Sequence, residues 1–117
     1  MKLLLMIFLH IVDDYYLQSI LAQLKQKKFW KENAPDALYK YDYIWALIMH
    51  AFSWAFMIML PIALTRPVGV GFYIAFAVNL IVHAVVDDLK ANRYKLNLWG
   101  DQLIHILQII TTFIIFN

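Results

Sequence analysis

Residues 68–88 read VGVGFYIAFAVNLIVHAVVDD, an apolar run that ends in a histidine and, four residues later, an aspartate. No charge occurs in residues 68–82. The run has about the ~20 residues that a helix needs to cross a hydrocarbon core roughly 30 Å thick. A lone strand cannot satisfy its backbone hydrogen bonds in lipid. The length and composition of this run therefore predict a transmembrane helix.

The composition of the whole chain also indicates a membrane protein. Of its 117 residues, 63% are hydrophobic and 15% are charged, whereas soluble domains have roughly 45–50% and about 25%. The mean hydropathy is +0.64. A soluble domain of this size could not bury so much apolar surface. The chain has no cysteine, which excludes disulfides and thiolate metal ligands.

Four apolar segments divide the chain, and each has about the length of a membrane span. We predict helices at about 2–24, 42–64, 68–90 and 98–117, which gives an all-α, integral membrane four-helix bundle in a single domain. The start, MKLLLMIFL, resembles a signal peptide. It lacks a small-residue cleavage site, so we expect the first helix to be retained.

Basic residues are concentrated in the two longer connections, 25–42 and 88–97, which an even number of spans separates. The positive-inside rule predicts that both connections are cytoplasmic and that both termini lie on the non-cytoplasmic side. We expect a multi-pass membrane protein, in contact with membrane lipids and compatible with a homo-oligomer. Eight of the ten Lys and Arg residues lie in these connections: Lys25, Lys27, Lys28, Lys31, Lys40, Lys90, Arg93 and Lys95.

Histidine and aspartate recur at helical spacing in three of the four segments. Residues four apart share one face of a helix, so the sequence predicts three stacked pairs. The pairs are His10 with Asp14, His83 with Asp87, and Asp101 with His105. The reversed order in the fourth segment is what antiparallel packing requires, because it puts all three histidines at the deeper level. His50, in the second segment, is expected near that level.

Imidazoles and carboxylates that converge inside a bundle are typical ligands of Zn²⁺, Fe²⁺ or Mn²⁺. Unpaired aspartates inside a membrane cost on the order of 3 kcal/mol each, and a cation would offset that cost. We therefore predict a divalent metal site, with zinc as the first candidate. Either two ions are bound, or some aspartates only orient the imidazoles. The predicted ligands are His10, Asp14, His50, His83, Asp87, Asp101 and His105.

Two other interpretations of these residues remain open. Each pair can be a local hydrogen bond that ties helices together, and two histidines can ligate a haem. Haem does not require a carboxylate one turn from each ligand, so metal or proton binding is the preferred hypothesis. Binding of nucleic acid is not expected, because the basic and aromatic connection 25–42 adjoins the membrane and also contains acids. The aromatic residues, including Trp54, are predicted to form mainly interfacial belts.

The pattern of these residues resembles an uncharacterised family of small bacterial and phage membrane proteins, catalogued as domain of unknown function 3307. The pattern is HIVDDYYLQ from residue 10, a basic loop, a histidine in the second segment, HAVVDDLK from residue 83 and DQLIH from residue 101. The resemblance covers nearly the whole chain and implies a four-helix, multi-pass protein of the bacterial inner (cytoplasmic) membrane without a known activity. The pattern is also more distantly similar to membrane-bound metal-dependent hydrolases, and this similarity is an analogy only.

Three functions fit the sequence. The first is a metal-dependent hydrolase of a lipid or amphiphile, in which Asp101 and Asp14 act on water and Lys90, Arg93 and Gln18 meet the head group. The second is a proton or divalent-cation transporter, although the half of the bundle away from the basic loops offers no polar exit. The third is a non-enzymatic bacterial or phage membrane effector with a structural metal.

Overall fold

A computed structural model describes all residues 1–117, and every regular element in it is helical, as predicted. The first segment contains α1 (Lys2–Val12), a π-helical turn (Asp13–Leu17) and α2 (Leu21–Leu24). The connection that follows contains α3 (Lys27–Asn33) and a 3₁₀ turn (Ala37–Tyr39). The three long helices are α4 (Asp42–Thr65), α5 (Val70–Ala91) and α6 (Leu98–Phe116).

The helices pack in a closed ring around a shared interior. α4 packs against α1 and α5, and α6 packs against both α5 and α1. We call the end of the ring where α1 and α5 finish and where α4 and α6 begin the loop end. The opposite end, called the hairpin end, carries the chain termini and the short turn between α4 and α5. An Arg66 side-chain N–H donates to the carbonyl of Phe116 there, at 2.7 Å.

Three helices are long and apolar enough to cross a membrane: α4 with the 3₁₀ turn before it, α5 and α6. The first segment differs from the single helix predicted over 2–24. Its α-helix ends at Val12, and Ser19 has a positive φ of 46°. This left-handed conformation is uncommon for residues other than glycine, and here it turns the chain out of the helix direction. The turn carries α2 back towards α4 and brings Lys25 to the interior.

The interior and the surface reverse the polarity of a soluble protein. Ten of the 22 buried residues are polar or charged, while large hydrophobic side chains such as Phe8, Ile81 and Leu103 are about 60% exposed. Near the hairpin end the core is apolar and contains Met6, Ile58, Met59, Ile62 and Ile109. Most of the buried polar residues occupy the half of the interior nearer the loop end, and Asn79 and Thr112 lie beyond it towards the hairpin end. Such a surface is stable where lipid, not water, surrounds it.

Candidate metal centre

Six donor atoms of three histidines and three aspartates converge inside the ring, near its loop end. His50, His83, Asp87, Asp101 and His105 are each at most 2% exposed, and the Asp14 side chain is 9% exposed. Three overlapping sets have ligand atoms within 4.8 Å of one another. These sets are Asp14–His50–His83, His83–Asp87–His105 and Asp14–Asp101–His105.

The distances between the donor atoms are those expected around a tetrahedral ion. Two ligands that are each about 2.0–2.1 Å from a tetrahedral zinc are roughly 3.3 Å apart. His50 Nε2 lies 3.2 Å from Asp14 Oδ1 and 3.3 Å from Asp87 Oδ2. His105 Nε2 lies 3.3 Å from Asp101 Oδ1 and 3.5 Å from Asp87 Oδ1, and His83 Nε2 lies 3.5 Å from Asp87 Oδ2. The arrangement needs little movement to hold a divalent ion.

Several of these atoms are buried without a hydrogen-bond partner. They are Nε2 of His50, both ring nitrogens of His83, Nε2 of His105 and Oδ1 of Asp101. A buried polar atom without a partner costs roughly 1–3 kcal/mol, so native proteins seldom leave one. The Nε2 atoms of all three histidines lie within 3.5 Å of an Asp87 oxygen. A divalent cation among them would be a partner for those Nε2 atoms that carry no proton and for Asp101 Oδ1, whereas a ring N–H of His83 requires an acceptor.

His105 is held in the tautomer that leaves Nε2 free to bind an ion. Its Nδ1 lies 3.1 Å from Gln108 Oε1, which only accepts, so Nδ1 carries the proton. The orientation of Gln108 is fixed in turn, because its Nε2 donates to both the carbonyl and the side-chain oxygen of Asn79. An outer hydrogen bond of this kind is the usual support of a metal-binding histidine.

His50 has a carboxylate neighbour on its Nδ1 side. Asp13 Oδ2 lies 3.8 Å from His50 Nδ1, and the other Asp13 oxygen accepts a hydrogen bond from the Ser53 hydroxyl. Asp13 is 1% exposed. Asp13, the first residue of the π-helical turn, lies beside His50 and accepts from Ser53, whereas Asp14 faces the donor cluster.

His10, a predicted ligand, has both ring nitrogens engaged elsewhere. Its Nδ1 accepts a hydrogen bond from the Trp54 indole N–H at 2.7 Å, and its Nε2 lies 3.0 Å from Gln102 Oε1. Because Trp54 can only donate, the proton of His10 is on Nε2. His10 belongs to none of the three ligand sets. In this arrangement it supports the cluster through Gln102, whose Nε2 donates to Asp14 and Asp101.

Trp54 packs against the histidines of the cluster, so the prediction of an interfacial belt does not hold for this residue. It is fully buried. Its ring stacks on His83 at 4.3 Å between centroids, and His83 stacks on His105 at 4.1 Å. Trp54 lies one turn after His50 on α4, and this i, i+4 spacing to a histidine was the available signal for its position.

Two lysines supply positive charge at the loop-end side of the cluster. Lys25 is 5% exposed, and its Nζ lies 3.0 Å from Asp87 Oδ2. Lys90 Nζ lies 3.3 Å from Asp101 Oδ2, and its side chain is 31% exposed. Four carboxylates (Asp13, Asp14, Asp87 and Asp101) against these two ammonium groups leave two negative charges when the imidazoles are neutral. One divalent cation would balance them.

The residues predicted to meet a head group have different surroundings. Gln18 accepts a hydrogen bond from Lys25 Nζ and donates to the backbone carbonyl of Asp14, so it braces the buried lysine. Lys90 contacts Asp101, as described. Arg93 forms an exposed ion pair with Asp88 at 3.1 Å, one turn beyond the cluster. Of the three, only Lys90 touches a donor carboxylate and also reaches the surface.

A lateral groove opens on the outer surface between α1 and α6, and none of the six donor residues lines it. Its volume is about 410 Å³, and its walls include Ile11, Tyr15, Trp99 and Ile106. Gln102 and His10 line its inner part, and Gln102 donates to two of the donor carboxylates. Gln102 therefore separates the groove from Asp14 and Asp101.

A second polar path extends from the cluster towards the hairpin end. It runs from His105 through Gln108 to Asn79, whose side-chain amide donates to Thr112 Oγ1 at 2.9 Å. Asn79 and Thr112 are buried, and they line a groove of about 560 Å³ between α5 and α6. The half of the bundle that the sequence predicts to offer no polar exit therefore contains a hydrogen-bonded chain of Gln108, Asn79 and Thr112.

Comparison with protein families, with curated proteins and with solved structures finds no match to this chain. Membership of the family catalogued as domain of unknown function 3307 stays a prediction. Functional inference therefore depends on the site itself.

Proposed function

We propose that this chain is a four-span integral membrane protein that binds a divalent metal ion through His50, His83, His105 and neighbouring aspartates. We propose further that it is a metal-dependent hydrolase of a lipid or another amphiphile. The observation that carries the proposal is the cluster of buried donor atoms without hydrogen-bond partners. Zinc is the first candidate for the ion, and Fe²⁺ and Mn²⁺ accept the same mixture of nitrogen and oxygen ligands.

The proposed topology has α1 with its π-helical turn as the first span and places the loop end in the cytoplasm. It is supported by the eight basic residues in connections 25–42 and 88–97. Lys25 is buried, so seven of the eight remain as topological determinants. The continuous helix of the first span, Lys2–Leu17, is shorter than the other three. The metal centre then lies at the cytoplasmic side of the membrane, where water and ions can reach it.

Hydrolysis is supported by the positions of the aspartates and of the α1/α6 groove. A bound divalent ion lowers the pKa of a water ligand to about 7 and polarises an ester or phosphoryl oxygen. Asp101 Oδ1 is an unpartnered acceptor at this position, so it can take a proton from water, while Lys90 and Gln102 hold its other oxygen. Asp14, held by Gln102, is the second candidate for that role. The groove would admit the apolar chain of the substrate.

The test compares two variants in proteoliposomes made from bacterial inner-membrane lipids, with lipid products followed by mass spectrometry. Asp101→Asn keeps the shape and the hydrogen bonds of the side chain but removes the base. We expect it to fold, to retain most of its metal and to lose turnover. His83→Ala should lose both metal and stability, because Asp87 loses a neighbour. Turnover by Asp101→Asn equal to wild type, or no turnover by the metal-loaded wild type, would contradict the hydrolase proposal.

Transport of protons or divalent cations is the second candidate, and the Gln108–Asn79–Thr112 path favours it. This path supplies polar groups on the hairpin side of the cluster. Asn79→Leu would interrupt the path without touching a proposed ligand. In vesicles that enclose a zinc-sensitive or pH-sensitive dye, transport predicts a flux that Asn79→Leu abolishes. If the metal-loaded protein shows no flux, transport is excluded. The remaining hypotheses are then the hydrolase and a membrane effector with a structural metal.

A further inference from the structure

A second pocket lies at the loop end, away from the metal centre, and it is rich in lysines and aromatic rings. The residues between α3 and the start of α4 enclose about 400 Å³. Lys27, Lys31 and Lys40 line it together with the rings of Trp30 and Tyr39. We propose that this pocket binds the phosphate-bearing head group of an anionic phospholipid, at a site separate from the proposed metal centre.

The charge of the pocket is not neutralised by the protein. None of the three pocket lysines forms an ion pair, whereas Lys28, on the same short helix, pairs with Glu32 at 3.8 Å. The one carboxylate in the pocket wall is Asp36, and it accepts a hydrogen bond from the backbone N–H of Leu38. Three ammonium groups and one carboxylate give a net charge of +2. An anionic ligand is therefore favoured.

The walls of the pocket are held in place by contacts that do not involve the lysine ammonium groups. Trp30 stacks on Tyr39 with 19° between the ring planes, and its indole N–H donates to the carbonyl of Leu24 at 2.7 Å. The backbone N–H of Lys27 donates to Asn92 Oδ1 at 2.7 Å, which ties α3 to the end of α5. The pocket is thus formed before a ligand binds, which lowers the ordering cost of binding.

A largely apolar groove adjoins the pocket at Tyr43, and this adjacency favours a lipid as the ligand. Tyr43 lines the pocket and also lines a groove of about 320 Å³ between α4 and α5. The walls of the groove include Ile44, Ile48 and Val85, which are exposed apolar residues of two candidate spans. Lys27 Nζ lies 5.0 Å above the Tyr43 ring, where pocket and groove meet. A phosphate at the lysines would place an acyl chain along the groove.

The test is titration calorimetry of the purified full-length protein in a neutral detergent with short-chain phospholipids. The probes are phosphatidylglycerol, phosphatidylcholine and soluble glycerol phosphate. The test variant is Lys31→Gln with Lys40→Gln. The control is Lys28→Gln with Lys95→Gln, which removes the same charge from exposed lysines outside the pocket. The substituted side chains are exposed in both variants, so both should fold, and circular dichroism would check this.

We expect wild type and control to bind phosphatidylglycerol more tightly than phosphatidylcholine. The pocket variant should bind phosphatidylglycerol about 30-fold more weakly, since a lysine near an anionic lipid surface contributes about fivefold in affinity. Equal losses in the pocket variant and the control would overturn the proposal in favour of general attraction to a basic surface. Glycerol phosphate binding as tightly as the lipid would overturn it in favour of a soluble phosphate. Neither outcome depends on the metal centre.

Discussion

Replacement of Lys25 by methionine is expected to destabilise the metal-free protein far more than the metal-bound protein. Lys25 Nζ lies 3.0 Å from Asp87 Oδ2, and both side chains are at most 7% exposed. At an effective dielectric constant of about 20, this separation corresponds to roughly 5 kcal/mol of attraction before desolvation is subtracted. Methionine keeps the apolar stem but leaves Asp87 buried without its cation, and loss of one partner of a buried pair costs about 3–5 kcal/mol.

A bound divalent ion should remove most of this cost. Asp87 lies within 3.5 Å of the Nε2 atoms of His50, His83 and His105, so an ion at their centre would also neutralise Asp87. The remaining loss would be the hydrogen bond from Lys25 to Gln18, which is about 1 kcal/mol. The difference of about 2–4 kcal/mol between the two states corresponds to metal binding that is roughly 30-fold tighter, or more, in the variant.

The assay is reversible unfolding in mixed micelles, with zinc and with a chelator, for wild type and Lys25→Met. Lys28→Met is the control, because the Lys28 side chain is 69% exposed and its loss should change the free energy of unfolding by less than about 0.5 kcal/mol. If Lys25→Met destabilises the protein equally with and without zinc, Asp87 does not contribute to an ion site and the reasoning fails.

Two further predictions concern single side-chain contacts, and a third concerns the topology. Gln108→Leu should weaken metal binding about 10–100-fold in a zinc titration, because the tautomer of His105 is no longer fixed. An affinity equal to that of the exposed control variant Gln23→Leu would refute this prediction. Trp54→Phe should lower the free energy of unfolding by about 1–3 kcal/mol, since His10 Nδ1 loses its donor; a change within error in chemical unfolding would count against this role. Cysteines that replace Lys31 and Lys95 should resist impermeant reagents in intact cells, and ready labelling of both would reverse the proposed topology.

Two features could be predicted from the sequence for physical reasons. They are the helical class of the chain and the proximity of its histidines and aspartates. A single span of about 20 apolar residues satisfies its own backbone hydrogen bonds in lipid by forming a helix. Within such spans, i, i+4 spacing puts His83 with Asp87 and Asp101 with His105 on one face. The predicted starts at 42 and 98 coincide with those of α4 and α6. Asn97 caps α6 by accepting from the Gly100 N–H at 2.9 Å, so Asp101 lies in its first turn.

The structure departs from the sequence-based predictions where tertiary contacts override the local sequence pattern. Lys25 belongs to a basic run, and no periodicity indicates that the chain reverses at Ser19 and returns this lysine to Asp87. The positions of Asp13 and Asp14 at the interior depend on their partners in α4 and α6. Gln108 leaves Nε2 of His105 free, whereas Gln102 and Trp54 engage both nitrogens of His10, and these contacts exist only once the helices are packed.

The most direct test of the account is the metal content of the purified full-length protein, measured by inductively coupled plasma mass spectrometry after expression with zinc, iron and manganese supplied. Two uncompensated negative charges and the unpartnered Nε2 atoms of three histidines predict about one divalent ion per chain, lost in His83→Ala and retained in the exposed-site variant Lys95→Gln. Wild-type protein that folds and contains well under one ion per chain, no more than His83→Ala, would contradict the central claim.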